Sequence, residues 1–114
     1  MLAKAISRFV RISPYKLRVL IDGVRGKRLD WAFNWLYANR NRRTSSVYKV
    51  LFSAWSNAKI KMPELSNFAD VYVSTAKVDQ GPTFKYSVPE AKGRAAVRRR
   101  RLSHIEVCLA GVKK

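Results

Sequence analysis

The sequence predicts an α+β fold in which three helices pack on a small antiparallel sheet and a long basic β-hairpin projects from that sheet. Two observations support this class. Apolar residues recur at helical spacing in three segments before residue 63, and they alternate with polar residues in two later segments. A third observation is the basic stretch between the two alternating segments. A chain of 114 residues suits one domain, so we expect residues 1–114 to form a single domain.

The first element is predicted to be a strand at about residues 3 to 10. The first eleven residues contain basic and small side chains and no acid, a composition that organelle transit peptides share. The apolar stretches are too broken for a secretory signal. We therefore expect a strand of the mature protein with basic side chains along it.

The first helix is predicted at residues 14–25. Ser13 offers an N-cap, and Pro14 suits the first helical position. One apolar stripe follows at i, i+3, i+4 and i+7, and Gly26 supplies a stop; the stripe comprises Leu17, Leu20, Ile21 and Val24.

Two further helices follow. Asp30 is predicted to cap the second, with Ala32, Phe33 and Leu36 inside and Trp31, Trp35 and Tyr37 widening its apolar surface. The third has the clearest period and ends before Pro63; its stripe comprises Val47, Val50, Leu51, Ala54, Trp55 and Ala58. We expect the stripes to form the core, with the tryptophans in the core or at its rim.

Two strands enclose the basic stretch. Residues 71–76 and 104–109 alternate between apolar and polar side chains, as strands do. The 24 residues at 80–103 show no apolar period and are long for a plain connection, so we expect an extended basic hairpin. Its reversal is placed near Gly93, and 79–82 (Asp-Gln-Gly-Pro) is predicted to be a turn that starts it.

The net charge of +17 is the main functional signal. Such an excess favours a polyanion as partner, because each neutralised phosphate releases condensed cations. Nucleic acid is the first candidate and an anionic membrane surface the second. No apolar run approaches the roughly 18 residues of a membrane span, so no membrane partner is expected.

Catalytic, metal and cofactor sites are not expected. Cys108 is the only cysteine and His104 the only histidine, which excludes an internal disulfide and makes metal binding improbable. The seven acids are scattered, and no nucleophile–base pair or phosphate-cradling glycine loop is present. An enzyme acting on RNA would need a metal or an acid–base pair that this sequence lacks.

The hairpin segment carries the chemistry for nucleic acid. Seven basic side chains stand there against Glu90 alone. Arginine binds phosphates bidentately and stacks on bases, and Phe84 and Tyr86 offer aromatic faces to unpaired bases. The alternative for the run Arg98–Arg101 is a solvated tail or a localisation signal, which its position between two strands disfavours.

Several motifs together resemble a known family. They are Ser13-Pro-Tyr-Lys-Leu-Arg18, Val24-Arg-Gly-Lys27, Ser53-Ala-Trp-Ser-Asn-Ala58, Val78-Asp-Gln-Gly-Pro82, Pro89-Glu-Ala-Lys-Gly-Arg-Ala95 and Ser103-His-Ile105. These motifs and the order of elements are similar to large ribosomal subunit protein twenty-two in its bacterial-type form, over nearly the whole chain.

The resemblance implies a structural protein of the large subunit with partners in ribosomal RNA, neighbouring large-subunit proteins and the nascent polypeptide. It implies that the hairpin passes between RNA domains and lines the exit tunnel, in a bacterial, plastid or mitochondrial ribosome. The matching tip residues are Glu90, Ala91, Lys92, Gly93, Arg94 and Ala95. Glu90 and Tyr86 replace residues that are usually basic in the bacterial pattern, and Arg40, Arg42 and Arg43 form an extra basic cluster.

Eighteen residues are therefore predicted to bind RNA: Lys4, Arg8, Arg11, Lys16, Arg18, Arg25, Lys27, Arg40, Arg42, Arg43, Lys85, Tyr86, Lys92, Arg94, Arg98, Arg99, Arg100 and Arg101. The alternative function is a DNA-binding architectural protein whose basic ribbon enters a groove.

Overall fold

A computed structural model describes residues 2–65 and 67–111. Three helices and three strands follow the predicted order, with 3₁₀ turns at Phe68–Asp70 and Ala91–Gly93. The main elements are β1 (Ala3–Val10), α1 (Pro14–Val24), α2 (Leu29–Ala38), α3 (Thr44–Lys61), β2 (Val71–Pro89) and β3 (Ala95–Gly111). The α+β class with a long hairpin is confirmed.

The three strands form one antiparallel sheet in the order β1-β3-β2. The last strand is therefore central, and its Val107 lies opposite Ala5 on one side and Ala76 on the other. Residues opposite one another across strands share a face of the sheet. That face is buried under the helices, whereas the other carries polar side chains.

The core is built from the predicted helical stripes. The stripe residues of α1 and α3, and Ala32, Phe33 and Leu36 of α2, are all buried against Val71, Val73 and the inward residues of β3. Burying a side chain such as Leu17 or Leu51 contributes about 1.5–3 kcal/mol relative to leaving it in water. Helix α3 is also fixed to β1, because Asn57 Nδ2 donates a 2.9 Å hydrogen bond to the Lys4 carbonyl.

The start of α2 differs from the prediction. The helix begins at Leu29 with Arg28 at the N-cap, so Asp30 lies in the first turn, where its carboxylate accepts a 2.7 Å bond from the Trp31 amide. The connection before it pairs with β2: Gly26 N donates to the Val73 carbonyl and Val73 N donates to the Lys27 carbonyl. This pairing sets where the chain can begin to coil, a constraint that is not visible in the sequence around Asp30.

The cap of α1 is only partly as predicted. Ser13 occupies the N-cap position, and its carbonyl accepts from the amides of Lys16 and Leu17, but its side chain makes no capping hydrogen bond. The helix ends at Val24, and Gly26 follows with a φ of +77°, a left-handed conformation that glycine adopts without strain.

The predicted turn at 79–82 is wrong. Strand β2 runs without interruption from Val71 to Pro89, and this stretch holds a β-bulge between Gln80 and Thr83. A Cβ atom on Gly81 would lie 3.0 Å from the Leu102 carbonyl oxygen. The Gly-Pro pair therefore accommodates an extra residue beside β3 and lets the ribbon continue instead of reversing it.

The tryptophans occupy different depths. Trp55 is buried, Trp35 is half-buried, and Trp31 is 42% exposed. Trp31 and Trp35 stack with their ring centroids 6.3 Å apart. Trp55 and Trp35 therefore meet the expectation that the tryptophans lie in the core or at its rim. Trp31 does not, because it lies one helical turn before Trp35 on the exposed side of α2.

Candidate nucleic-acid interface

The hairpin is a two-stranded ribbon that extends beyond β1. Its arms pair continuously from Thr83 opposite Arg101 to Pro89 opposite Ala95, and the protein spans 66 Å along its longest axis. Cross-strand partners share a face, so one face of the ribbon carries Phe84 and Tyr86 with Arg98 and Arg100. The opposite face carries Lys85, Arg99 and Arg101. The register thus places both aromatic rings on one face together with two arginines, whereas the opposite face is basic without an aromatic ring.

The tip of the hairpin is a compact turn. Lys92 and Gly93 both have positive φ, +64° and +72°, and Glu90 N donates a 2.6 Å hydrogen bond to the Arg94 carbonyl. The Glu90 carboxylate lies 3.6 Å from the Arg98 guanidinium. The acid that departs from the family pattern therefore forms an exposed ion pair with the hairpin arm and leaves Lys92 and Arg94 as the outermost cations.

A continuous basic groove lies at the base of the hairpin. One cleft of about 310 Å³ is lined by Arg11, Ser13, Lys16, Tyr86 and the three arginines 99–101. A second, of about 330 Å³, shares Arg11, Ser13 and Lys16 and adds Arg42 and Arg43 from the α2–α3 loop. No acidic side chain lines either cleft. We call this surface the basic groove. It brings together β3, the start of α1 and the α2–α3 loop, which are distant from one another in sequence.

Hydrogen bonds between main chain and side chains hold the walls of the basic groove in place. Ser103 is fully buried, and its hydroxyl donates to the Ile12 carbonyl, which ties the segment around Arg11 to β3. In the α2–α3 loop, the Asn41 side-chain oxygen accepts from the amides of Arg43 and Thr44, at 2.8 and 3.2 Å. Ordered backbone under flexible arginines lowers the entropic cost of fixing them on phosphates.

Two predicted RNA-binding arginines already have partners inside the protein. The Arg18 guanidinium donates to the Val78 carbonyl through two nitrogens, at 3.3 and 3.2 Å. Arg25 donates to the Ala76 carbonyl at 2.9 Å and to Asp22 at 2.8 Å. Both side chains link α1 to β2, so each has fewer donors available for phosphate than the sequence suggested.

The remaining predicted cations are exposed but dispersed. Lys27 lies 5.1 Å from the Trp31 ring centroid and Arg40 lies 4.9 Å from that of Tyr37. Lys4 projects from the edge strand, away from the basic groove, and Arg8 lines a separate cleft with Phe9, His104, Asp79 and Glu106.

The open face of the sheet has mixed charge. Lys77 lies 3.3 Å from Glu106 and 3.9 Å from Asp79, and the hydrogen bond that Lys77 donates to Glu106, with the charges of both carboxylates, raises the pKa of Lys77 above its ordinary value. The local pairing of charges distinguishes this face from the basic groove, where cations face one another without acids.

The structural role of His104 was missed from the sequence. His104, considered only as a metal ligand, accepts a 3.1 Å hydrogen bond from the Phe9 amide and contacts the Phe9 ring edge-on. This fixes a bulge in β1 at which Phe9 has a φ of +59°. The Ser-His pair after the arginine run was the available signal, but only the pairing of β1 with β3 shows what it contacts.

None of the helices in residues 2–65 and 67–111 is long and apolar enough to cross a membrane. Within the same ranges, no three His, Cys, Asp or Glu side chains cluster so that they could hold a metal ion.

Comparison with known proteins gives consistent matches. The family described as "Ribosomal protein L22p/L17e" matches residues 5–110. The large ribosomal subunit protein uL22 of Thermus thermophilus is 46% identical over 107 residues, covering 94% of this chain and 93% of the relative. The protein of the same name from Pelotomaculum thermopropionicum is 40% identical over 111 residues, covering 97% and 96%. The one from Heliobacterium modesticaldum is 44% identical over 108 residues, covering 95% and 76%.

Proposed function

The chain belongs to the ribosomal protein L22p/L17e family, and from this premise we propose that it binds large-subunit ribosomal RNA through the basic groove and the hairpin. Its membership makes it a structural constituent of the large ribosomal subunit, located in the ribosome, and not an enzyme. The RNA contacts and the position of the hairpin are the parts that we infer.

The observation that carries the proposal is the basic groove. Five of its cations come from the N-terminal segment, α1 and β3, and two from the α2–α3 loop, with no acid among them. Packing so many like charges together costs free energy unless a polyanion neutralises them. An RNA backbone that follows the groove supplies phosphates to these cations, and its binding releases condensed counterions.

The mechanism that follows is passive scaffolding. Phosphates of one RNA segment bind in the basic groove, while the projecting ribbon reaches other segments with Lys85, Arg98 and the neighbouring arginines. Because the ribbon and one wall of the groove belong to the same strand, β3, RNA segments distant in sequence are held at a defined separation. We propose that this arrangement promotes assembly of the subunit and that contacts with neighbouring ribosomal proteins complete it.

The test of RNA binding is the salt dependence of the interaction. We expect the affinity of the full chain for large-subunit ribosomal RNA to fall linearly in a log–log plot against salt. In a lysate, the protein should sediment with large subunits through a sucrose gradient at moderate and high salt. Release at high salt into DNA-bound fractions would instead favour the architectural alternative.

We further propose that the hairpin tip lines the nascent-peptide exit tunnel. Two features support this proposal: the tip is the part of the protein farthest from the helices, and its exposed residues are small except for Glu90, Lys92 and Arg94. Replacing Arg94 with Ala should leave subunit assembly largely intact but change stalling of nascent chains or macrolide response. An assembly defect as large as that of Arg98–Arg101 variants would contradict it.

A further inference from the structure

A small pocket lies at the corner where α2 ends and α3 begins, outside the basic groove. It has a volume of about 180 Å³ and is walled by the rings of Tyr37 and Tyr48, with buried Leu36 at its floor. Arg40 and Ser45 stand at its polar rim. We call it the corner pocket. None of the motifs that carry the family resemblance includes it.

The walls of the corner pocket are held in place before any ligand binds. Tyr48 packs on the Phe33 ring at 5.1 Å and lies nearly parallel to Phe52. Thr44, which is 4% exposed, donates from its hydroxyl to the Asn39 carbonyl at 3.1 Å and so closes the loop below. The corner pocket is therefore preformed, and the Thr44 hydroxyl beneath it already has a hydrogen-bond partner.

The chemistry of the corner pocket suits a flat ring beside a negative charge. Tyr37 and Tyr48 remain 69% and 43% exposed, so their faces are available for stacking. The Arg40 guanidinium lies 4.9 Å from the Tyr37 centroid, and no acidic side chain lines the pocket. Aromatic faces with an adjacent arginine are the combination that stacks an unpaired base and holds its phosphate.

The corner pocket and the basic groove share one loop. Arg42 and Arg43 line the groove, whereas Arg40, Thr44 and Ser45 of the same connection line the pocket. An RNA strand whose phosphates follow the basic groove thus passes beside the corner pocket, because the loop residues that line the two sites are one or two positions apart in sequence. The charge of this corner also disfavours a plain apolar protein side chain, because its cations would lose hydration without gaining a partner.

We propose that the corner pocket receives one unstacked nucleobase of an RNA segment whose phosphates lie in the basic groove. This inference rests on the proposed RNA binding and deepens it by naming a base-stacking site. Its contribution depends on aromatic faces and is nearly independent of salt, whereas the groove contributes through charge.

The experiment compares two RNA probes of equal charge with the full-length protein. One is a single-stranded 12-nucleotide RNA of mixed sequence, and the other has the same backbone without bases. Tyr37→Leu/Tyr48→Leu should weaken binding of the first probe by about tenfold, which corresponds to about 1.4 kcal/mol, without changing the salt slope. Binding of the abasic probe should not change.

The controls keep the result interpretable. Trp31→Leu removes a ring of α2 that is 42% exposed, comparable with Tyr48 at 43%, and that lies outside the pocket, so it should leave both affinities unchanged. Tyr37→Phe/Tyr48→Phe keeps both rings and should bind as wild type; if the leucine variant does not fold, Tyr37→Ser, at a 69% exposed position, gives the same comparison.

The outcomes separate the two proposals. If the wild type binds RNA with a steep salt slope but the leucine variant binds each probe as tightly as the wild type does, the base site is wrong while RNA binding stands, and a protein side chain becomes the better occupant. If the wild type itself shows no salt-dependent binding of either probe, the proposed RNA binding fails first.

Discussion

At the scale of single residues, side chains that are polar or missing decide how elements approach one another. Gly23 lies inside α1, where glycine weakens a helix, yet a Cβ atom there would come within 2.4 Å of the Trp35 ring. The missing side chain is what allows the half-buried Trp35 of α2 to pack on α1. The packing of Trp35, and not helix propensity, therefore explains why glycine occupies position 23.

Replacing Gly23 with Ala should therefore destabilise the protein despite the better helix propensity of alanine. Overpacking against the ring costs about 1–3 kcal/mol, which exceeds the gain of about 1 kcal/mol in propensity. Urea unfolding followed by circular dichroism measures the change. The double variant Gly23→Ala/Trp35→Leu should recover much of the loss; a single variant as stable as wild type would disprove the contact.

His104 provides a second residue-scale case. Its side chain accepts a hydrogen bond from the Phe9 amide at the β1 bulge, where the regular pairing with β3 is interrupted. His104→Ala should lower the free energy of unfolding by about 0.5–1.5 kcal/mol, the usual contribution of a hydrogen bond. Cys108→Ala, on the same strand and face, is the control and should have a smaller effect. Equal losses would mean that the hydrogen bond contributes nothing specific.

At the scale of elements, the hairpin and the α2–α3 loop perform different tasks on one surface. The register of β2 with β3 places Phe84 and Tyr86 on one face of the ribbon beside Arg98 and Arg100, and leaves the opposite face to Lys85, Arg99 and Arg101. The loop adds Arg42 and Arg43 to the groove because Asn41 fixes its backbone. A chain with the same composition but a register shifted by one residue would mix the two faces.

The hairpin arginines in the groove should account for a measurable part of the salt dependence. Arg99→Ala/Arg101→Ala should reduce the slope of log affinity against log salt by about 0.7–0.9 for each lost phosphate contact. It should also lower the yield of assembled subunits. Lys59→Ala/Lys61→Ala removes the same charge from the end of α3, outside the groove, and is the matched control. If both variants reduce the slope equally, net charge alone determines binding.

At the scale of the whole molecule, stability and partner binding are linked through charge. The formal charge of +17 at pH 7 is spread over an elongated body of 66 × 26 × 17 Å, with its densest part in the basic groove. Like charges at this density oppose folding of the free protein. A polyanion that binds only the folded state should offset that repulsion.

Short-chain polyphosphate should therefore raise the melting temperature of the isolated protein. At about one hundred times its dissociation constant, a ligand that binds only the folded state adds about 2.7 kcal/mol, or roughly 10 °C or more for a domain of this size. Thermal unfolding followed by circular dichroism measures this at micromolar ligand. Arg99→Ala/Arg101→Ala should show a smaller rise; an unchanged melting temperature in the wild type would contradict the linkage.

The sequence by itself determined the class of fold, the three helical stripes and the position of the ribbon, and its net charge indicated a polyanionic partner. These follow from apolar periodicity and net charge, which act locally or additively and can be counted along the chain. The family motifs then narrowed the partner to the large ribosomal subunit. None of these predictions required knowledge of which distant segments contact each other.

Only the tertiary structure decided which cations lie together in the basic groove. It placed Arg11, Lys16, Arg42 and Arg43 beside Arg99–Arg101, and turned Arg18 and Arg25 toward carbonyl groups of β2. It also replaced the expected turn at 79–82 with a bulge and moved the start of α2. The physical reason is the same in each case: strand pairing and packing between distant segments set these contacts, and local propensity carries no record of the distant partner.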